Sequence, residues 1–416
     1  MAQVRNKREG LFWFLAIACF AIGLIGIYDR LVHGHVNANY GSYIPWGLWV
    51  AAYIYMIGLS AGAFVMSSLV YVFKVKAFKK IGKLSLLVAL ATLVGALVTI
   101  WMDLGHMGRA WRLMLKTNFM SVMGWMVWLY SAYFILLIIE LWLAMRSDLV
   151  RCSQESGLRG KICSFLLFGN KDDSPERQAK SARLLTILGT IGIPLAIAFH
   201  GSVGAIFGVV GARPYWHSGL TPIIFLIGAF LSGGALLTFI AANWAPNKGT
   251  DEHRSMIVLL GKLLLAMLAF DTLLEYAEIT VGLWQSVPEE ADALKMVLFG
   301  DFWWVFWIVH VGLGIVVPAL LLIFKGKSVR AVAVAGALIA VTFLAVRLNI
   351  VLPGLSVPEM EGLLHAYSTR GLTFDYFPSV SEWLVFIWSI SLAGLIFLLG
   401  KTYLPILDDK GNESLS

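Results

Sequence analysis

The chain has 416 residues, of which 59% are hydrophobic and only 14% charged, with a formal net charge of +7. That balance excludes an ordinary soluble domain. The basic excess does not indicate nucleic acid as a partner, because the Lys and Arg residues sit in short segments between apolar runs, which is the pattern of membrane topology.

A bilayer core takes about twenty apolar residues per helix. Ten stretches qualify in chain order: 11–28, 45–72, 82–106, 119–145, 184–210, 219–242, 256–284, 301–324, 330–350 and 383–403. The first follows a basic head, as in a signal peptide. Its apolar part is long enough to span and no small-x-small cleavage site follows, so a retained helix is expected. Segments 146–183 and 351–382 read as loops. Of the 32 Lys and Arg residues, 23 fall on the side of both termini, 8 on the other side, and Lys262 within a span. Arg5, Lys7, Arg8 and the lysines at 74, 76, 79, 80 and 83 contribute to the larger group. The bias places both termini in the cytoplasm, so N-in, C-in topology is expected. Cys19, Cys152 and Cys163 form no CxxC pair, so neither a metal cluster nor a disulfide framework is expected.

The spans contain a repeat. GLSAGA at 58–63 resembles FLSGGA at 230–235, an offset of 172 that pairs Ser60 with Ser232 and Gly62 with Gly234. The same offset sets Asp103 against Glu275 and His106 against Glu278. WMVW at 125–128 matches WVFW at 304–307 at a slightly different offset. The expected fold is an all-α integral membrane protein of ten transmembrane helices, with two four-helix bundles and two peripheral helices. Its divisions are a peripheral N-terminal helix over 1–40, a first bundle over 41–210 and a second over 211–355. An outer loop and C-terminal peripheral helix fill 356–416.

Ionisable residues within spans are costly and are functional candidates by default. Asp103 and His106 fall at the outer end of the third span, and His200 lies roughly 15 Å deep in the fifth at 1.5 Å per residue. Asp271, Glu275 and Glu278 share one face of the seventh span, and His310 and Arg347 join them from the eighth and ninth. Glu140 and Ser60 lie nearer the inner face. A row of acids with an imidazole suits proton movement, while an imidazole beside a carboxylate suits a quinone head group, which needs a donor able to deliver a proton. Structural pairing of Asp103 with Arg109 or Arg347 is the plainer alternative. His217, beside Trp216, also reads as an interfacial anchor.

Four stretches carry a family resemblance: IPWGLWVAAYIYMIGLSAGAF, MDLGHMGRAWRLML with SVMGWMVWLYSAYF, HGSVGAIFGVVGARPYWHSGLTPIIFLIGAFLSGGAL, and RLNIVLPGLSVPEMEG. Over roughly 40–355 the chain resembles the NrfD/polysulfide-reductase membrane-subunit family. The ten spans and the tail after 356 are similar to its larger branch, the menaquinone reductase (Qrc) type in particular. The resemblance implies an oxidoreductase subunit with no haem or iron–sulfur cluster of its own, binding menaquinone near the outer face. The implied partner is a periplasmic four-cluster ferredoxin-like iron–sulfur subunit, with a multihaem cytochrome c and a molybdopterin-type subunit in the complex. Menaquinone reduction is the expected direction, although oxidation would use the same groups. The implied quinone-site residues are Trp46, Asp103, His106, His200, Arg213 and His217, with Asp103 and His200 as the reacting pair. Asp271, Glu275, Glu278, Arg347 and Glu140 are the proton-route candidates. Shorter members carry a tyrosine where this chain has Val203, which shifts weight from a tyrosine contact to His200 with Asp103.

Two other readings compete. A b-type cytochrome needs facing histidines at matched depth, and His200 and His310 both lie roughly 15 Å from the outside; they fall, however, in different repeat units. A proton or ion transporter would fit the repeats, but transporter repeats are commonly inverted and these run parallel.

Overall fold

The computed structural model describes residues 7–285, 287–360, 362–363, 367–369 and 371–408. Arg5, counted above among the inside charges, lies outside the described residues, as do Glu361, Leu364, His365, Ala366 and Arg370 of the resembling tail. Among the described residues the secondary structure is helical except for one isolated bridge, Thr369 to Leu372.

Ten helices are long and apolar enough to cross a membrane, one for each expected span. They are α1 (Lys7–His33), α2 (Leu48–Tyr71), α3 (Gly82–Asp103), α4 (Val122–Cys152) and α5 (Pro175–Gly208). The rest are α6 (Thr221–Trp244), α7 (Asp251–Trp284), α8 (Val305–Lys325), α9 (Val329–Ser356) and α10 (Val380–Tyr403). Their ends follow local chemistry. Ser174 caps α5 by accepting from the Arg177 amide, with Pro175 in the first turn where its missing N–H costs nothing. Ser379 and Glu382 form a reciprocal capping box at α10. Exposed Phe14, Ile191, Leu273 and Val341 show apolar faces turned outward, as a lipid solvent requires.

The structure corrects three expectations. The 146–183 segment is mostly helical, because α4 runs on to Cys152, a short helix covers Leu158–Leu166 and α5 begins at Pro175. The expected loop after 350 starts only beyond Ser356, since α9 continues through Pro353. Cys152 and Cys163 are joined by a disulfide, against the expectation of unpaired cysteines; the end of α4 and the short helix bring their Cα atoms to 5.9 Å.

α2 packs on α3 and α5, and α4 packs on α3 and α5. α6 packs on α7 and α9, and α8 packs on α7 and α9. α2 against α6 and α5 against α6 join the two groups, while α1 lies on α10, and α10 on α3. The duplicated small-residue motifs meet each other at the α2–α6 crossing. A Cβ on Gly62 would sit 2.1 Å from the Ala229 carbonyl oxygen, and one on Gly233 would sit 2.6 Å from the Gly62 Cα. Only glycine allows backbones that close.

Candidate functional site

α3 ends at Asp103, and α2, α4 and α5 surround that end. Between them lies a cavity of about 650 Å³. Its wall is mainly apolar, with Val50, Ile54, Leu97, Ile100, Phe134, Val203, Ile206 and Phe207 among its members. The polar groups on it are few: Asp103, Tyr53, Tyr130, Ser131 and the indoles of Trp46 and Trp101. Such a concave apolar site with sparse convergent polar groups is the usual form of a small-molecule pocket.

Each polar group has a defined place. Tyr53 and Tyr130 are buried and hydrogen-bonded hydroxyl to hydroxyl across α2 and α4. The Ser131 hydroxyl donates to the Val127 carbonyl at 2.8 Å within its own helix. Trp46 stacks on Trp216 with centroids 5.6 Å apart and takes Phe207 edge-on. Asp103 interacts electrostatically with Tyr40 and Arg30, and its Oδ1 is buried without a hydrogen-bond partner. A buried polar atom without a partner is uncommon in folded proteins and marks Asp103 out among the groups of this wall.

Of the six expected quinone-site residues, Trp46 and Asp103 line this cavity. His106 is exposed on the turn beyond α3, and His217 is exposed with Nδ1 2.8 Å from the Gly208 carbonyl. Arg213 pairs with Glu359 at 2.8 Å and donates to the Val357 carbonyl at 2.7 Å, lining a separate recess of about 190 Å³. His200 is fully buried and faces α6, where Nε2 donates to the Phe225 carbonyl at 2.8 Å. A carbonyl only accepts, so Nε2 carries the proton in this arrangement. Val203, Ile206 and Phe207 stand on the cavity side instead. The structure therefore separates His200 from Asp103, the partner the sequence assigned to it. Asp103 forms no ion pair with Arg109 or Arg347 among the described contacts.

Sequence reasoning missed Tyr53 and Tyr130. The signal was present, since two phenols inside otherwise apolar spans each need a partner, but hydropathy counts them with the core. Val203 does line the cavity, so the hydroxyls come from α2 and α4 rather than from α5.

The second group of helices holds a polar cluster. His310 Nε2 lies 2.8 Å from Glu275 Oε2. Asp271 is buried on the same face of α7, in electrostatic contact with Arg347 and His310. The Arg347 guanidinium lies 4.3 Å from the Phe225 ring centroid and donates to the Phe225 carbonyl at 3.4 Å, the oxygen that also accepts from His200. Glu275, Glu278, Phe225, Phe306 and Asn349 line a small cavity of about 70 Å³. His310 stands on a π-helical stretch, Val305–Val316, a local geometry often found at functional positions. At the opposite end of the molecule Glu140 is buried, with no hydrogen-bond partner for Oε1, and Lys83 bridges to Asp148 at 2.9 Å.

Residues 36–359 match the family described as polysulphide reductase, NrfD. The chain belongs to that family. It is 36% identical to a selenate reductase subunit of Mesobacillus selenatarsenatis, covering 95% of this chain and 94% of the relative. It is 27% identical to the Hdr-like menaquinol oxidoreductase integral membrane subunit of Archaeoglobus fulgidus, covering 100% and 99%. The menaquinone reductase integral membrane subunit of Nitratidesulfovibrio vulgaris is 22% identical over 93% of this chain and 89% of its own length.

Proposed function

We propose that this NrfD-family chain is the quinone-binding membrane subunit of a respiratory oxidoreductase complex. In it, electrons pass between menaquinone and an iron–sulfur subunit docked at the Asp103 end, the periplasmic side in the expected topology. The observation that carries this reading is Asp103 on the wall of the large apolar cavity, an acid with one buried oxygen, Oδ1, left without a hydrogen-bond partner. The cavity's volume lies within the range usual for small-molecule sites, and its apolar lining suits a prenylated ring. The names of two relatives, a menaquinol oxidoreductase subunit and a menaquinone reductase subunit, agree with it. Beside the cavity the α3–α4 connection exposes Trp111, Leu115 and Met120, a surface suited to a docked partner. A multihaem cytochrome c and a molybdopterin-type subunit would complete the electron path.

Interconversion of quinone and quinol moves two electrons and two protons, and the electrons belong to the iron–sulfur partner. Asp103 exchanges one of the two protons with a ring oxygen through its carboxylate, and the other ring oxygen exchanges the second with solvent. The Tyr53–Tyr130 pair offers a hydroxyl to the ring, and Trp46 and Phe207 wall it in. His200, Arg213, His106 and His217 act outside the cavity, with Arg213 fastening the α5–α6 turn to the end of α9. Purified complex carrying Asp103→Asn should assemble normally and lose quinone turnover; wild-type turnover in that variant would refute the site.

A second role is favoured by the His310–Glu275 pair with Asp271 and Arg347: a proton route through α6–α9, with Glu278 toward the Asp103 end. Glu140 would serve the opposite end. Proteoliposomes reporting membrane potential test it, since Glu275→Gln should lower the potential generated per quinone turned over.

A further inference from the structure

The sequence treats α1 as an accessory helix, yet its last turn reaches the proposed site. Arg30 is buried, 4% exposed, and forms no ion pair with a carboxylate among the described residues. Its guanidinium instead straddles Asp103. Nε donates to the Met102 carbonyl at 2.6 Å and Nη2 to the Leu104 carbonyl at 2.7 Å, the residues on either side of Asp103. Nη2 also lies 2.8 Å from His35 Nε2.

That last contact sets a direction. Guanidinium can only donate, so His35 Nε2 accepts and the imidazole proton sits on Nδ1. Nδ1 then donates to the Tyr40 hydroxyl oxygen, with which it is in contact. This leaves the Tyr40 O–H free to turn toward the Asp103 carboxylate, with which Tyr40 interacts electrostatically. Burial, with Arg30 adding to it, holds the His35 imidazole below its ordinary titration range, so it stays neutral and the chain keeps its polarity. His35 is also braced by Trp49, centroids 6.0 Å apart.

We propose that Arg30 is a positioning residue for Asp103: it clamps the backbone on both sides of the acid and, with His35 and Tyr40, holds the carboxylate at the cavity wall. The inference rests on the quinone-site reading above and adds to it the reason that α1 is part of the working unit. A plainer role exists, because basic side chains often satisfy the last carbonyls of a helix. The test has to separate the two.

In purified complex assayed for quinol turnover, Arg30→Ala should lower kcat by about 10- to 100-fold, the scale expected when a reacting group is misplaced by an ångström or so. Added guanidinium should restore part of that rate in Arg30→Ala and none in Asp103→Asn. Tyr40→Phe keeps the ring and its packing while breaking the chain, and should lower kcat about fivefold to tenfold, one hydrogen bond's worth. If Arg30→Ala assembles poorly, Arg30→Lys and Tyr40→Phe carry the test. Wild-type kcat in Tyr40→Phe, or guanidinium raising the thermal midpoint of Arg30→Ala without raising kcat, would reduce Arg30 to a helix cap. Unchanged turnover in Asp103→Asn would sink the quinone-site reading itself, whereas loss there with full activity in the Arg30 and Tyr40 variants would sink this inference alone.

Discussion

The two groups of four helices put the same architecture to opposite uses of space. The 172-residue offset pairs Tyr53 with Phe225 and Asp103 with Glu275, and the WMVW/WVFW match pairs Val127 with Phe306. All six residues line cavities, three in each group. In the first group the cavity is about 650 Å³; in the second it is about 70 Å³. Aromatic rings at Phe225 and Phe306 replace a hydroxylated ring and a small valine, and the acid changes its company. Asp103 keeps a free oxygen, while Glu275 is engaged by His310. A free acid beside open apolar space suits a ring-shaped ligand. An engaged acid in a closed polar cluster suits proton storage and transfer.

The largest expected effect breaks the comparison at its acids. Asp103→Asn should cost about 100-fold or more in quinone turnover, the scale of a lost acid–base group. Glu275→Gln, the matched change, should leave turnover within about twofold and act on the membrane potential instead. Equal losses from both substitutions would mean that the two cavities serve one reaction.

Next comes the seam that holds the groups together. Gly62→Leu forces a side chain into the Ala229 backbone, where no rotamer relieves the clash. The α2–α6 crossing should open at a cost of about 1–3 kcal/mol or more, read as a lower thermal midpoint of the purified complex. Gly105→Ala, where an added Cβ meets nothing within 4 Å, is the control and should be neutral.

The fold was far more legible than the site. Ten spans, their order and the repeat follow from apolar length and from GLSAGA and FLSGGA, because lipid imposes one strong rule on every span. Asp103 and Trp46 were also legible, the first as an intramembrane acid and the second within its motif. His200 misled for a physical reason. Depth along a span says nothing about azimuth, and half a turn decides whether a side chain faces α4 or α6. Tyr53 and Tyr130 escaped because their bodies are apolar. Arg30, His35 and Tyr40 escaped because their contacts to α3 span about seventy residues, beyond any local pattern. The disulfide was missed because the cysteine count is odd and Cys152 and Cys163 fall in a polar segment read as a loop, whereas helices fix the two sulfurs side by side.

The smallest expected effect asks whether size or pairing keeps a ring out of the second group. Phe225→Tyr with Phe306→Val gives its cavity the first cavity's residues at the matched positions. The lost ring volume should lower stability by about 1–3 kcal/mol, less than a full Phe→Ala truncation. A photoreactive quinone should still label only the α2–α5 peptides, because Glu275 remains held by His310 through Oε2. Adding Glu275→Asp shortens the acid and should break that contact. If labelling then reaches α6–α9, acid pairing is the barrier; if the aromatic exchange alone admits the quinone, sterics were the whole difference between the two groups.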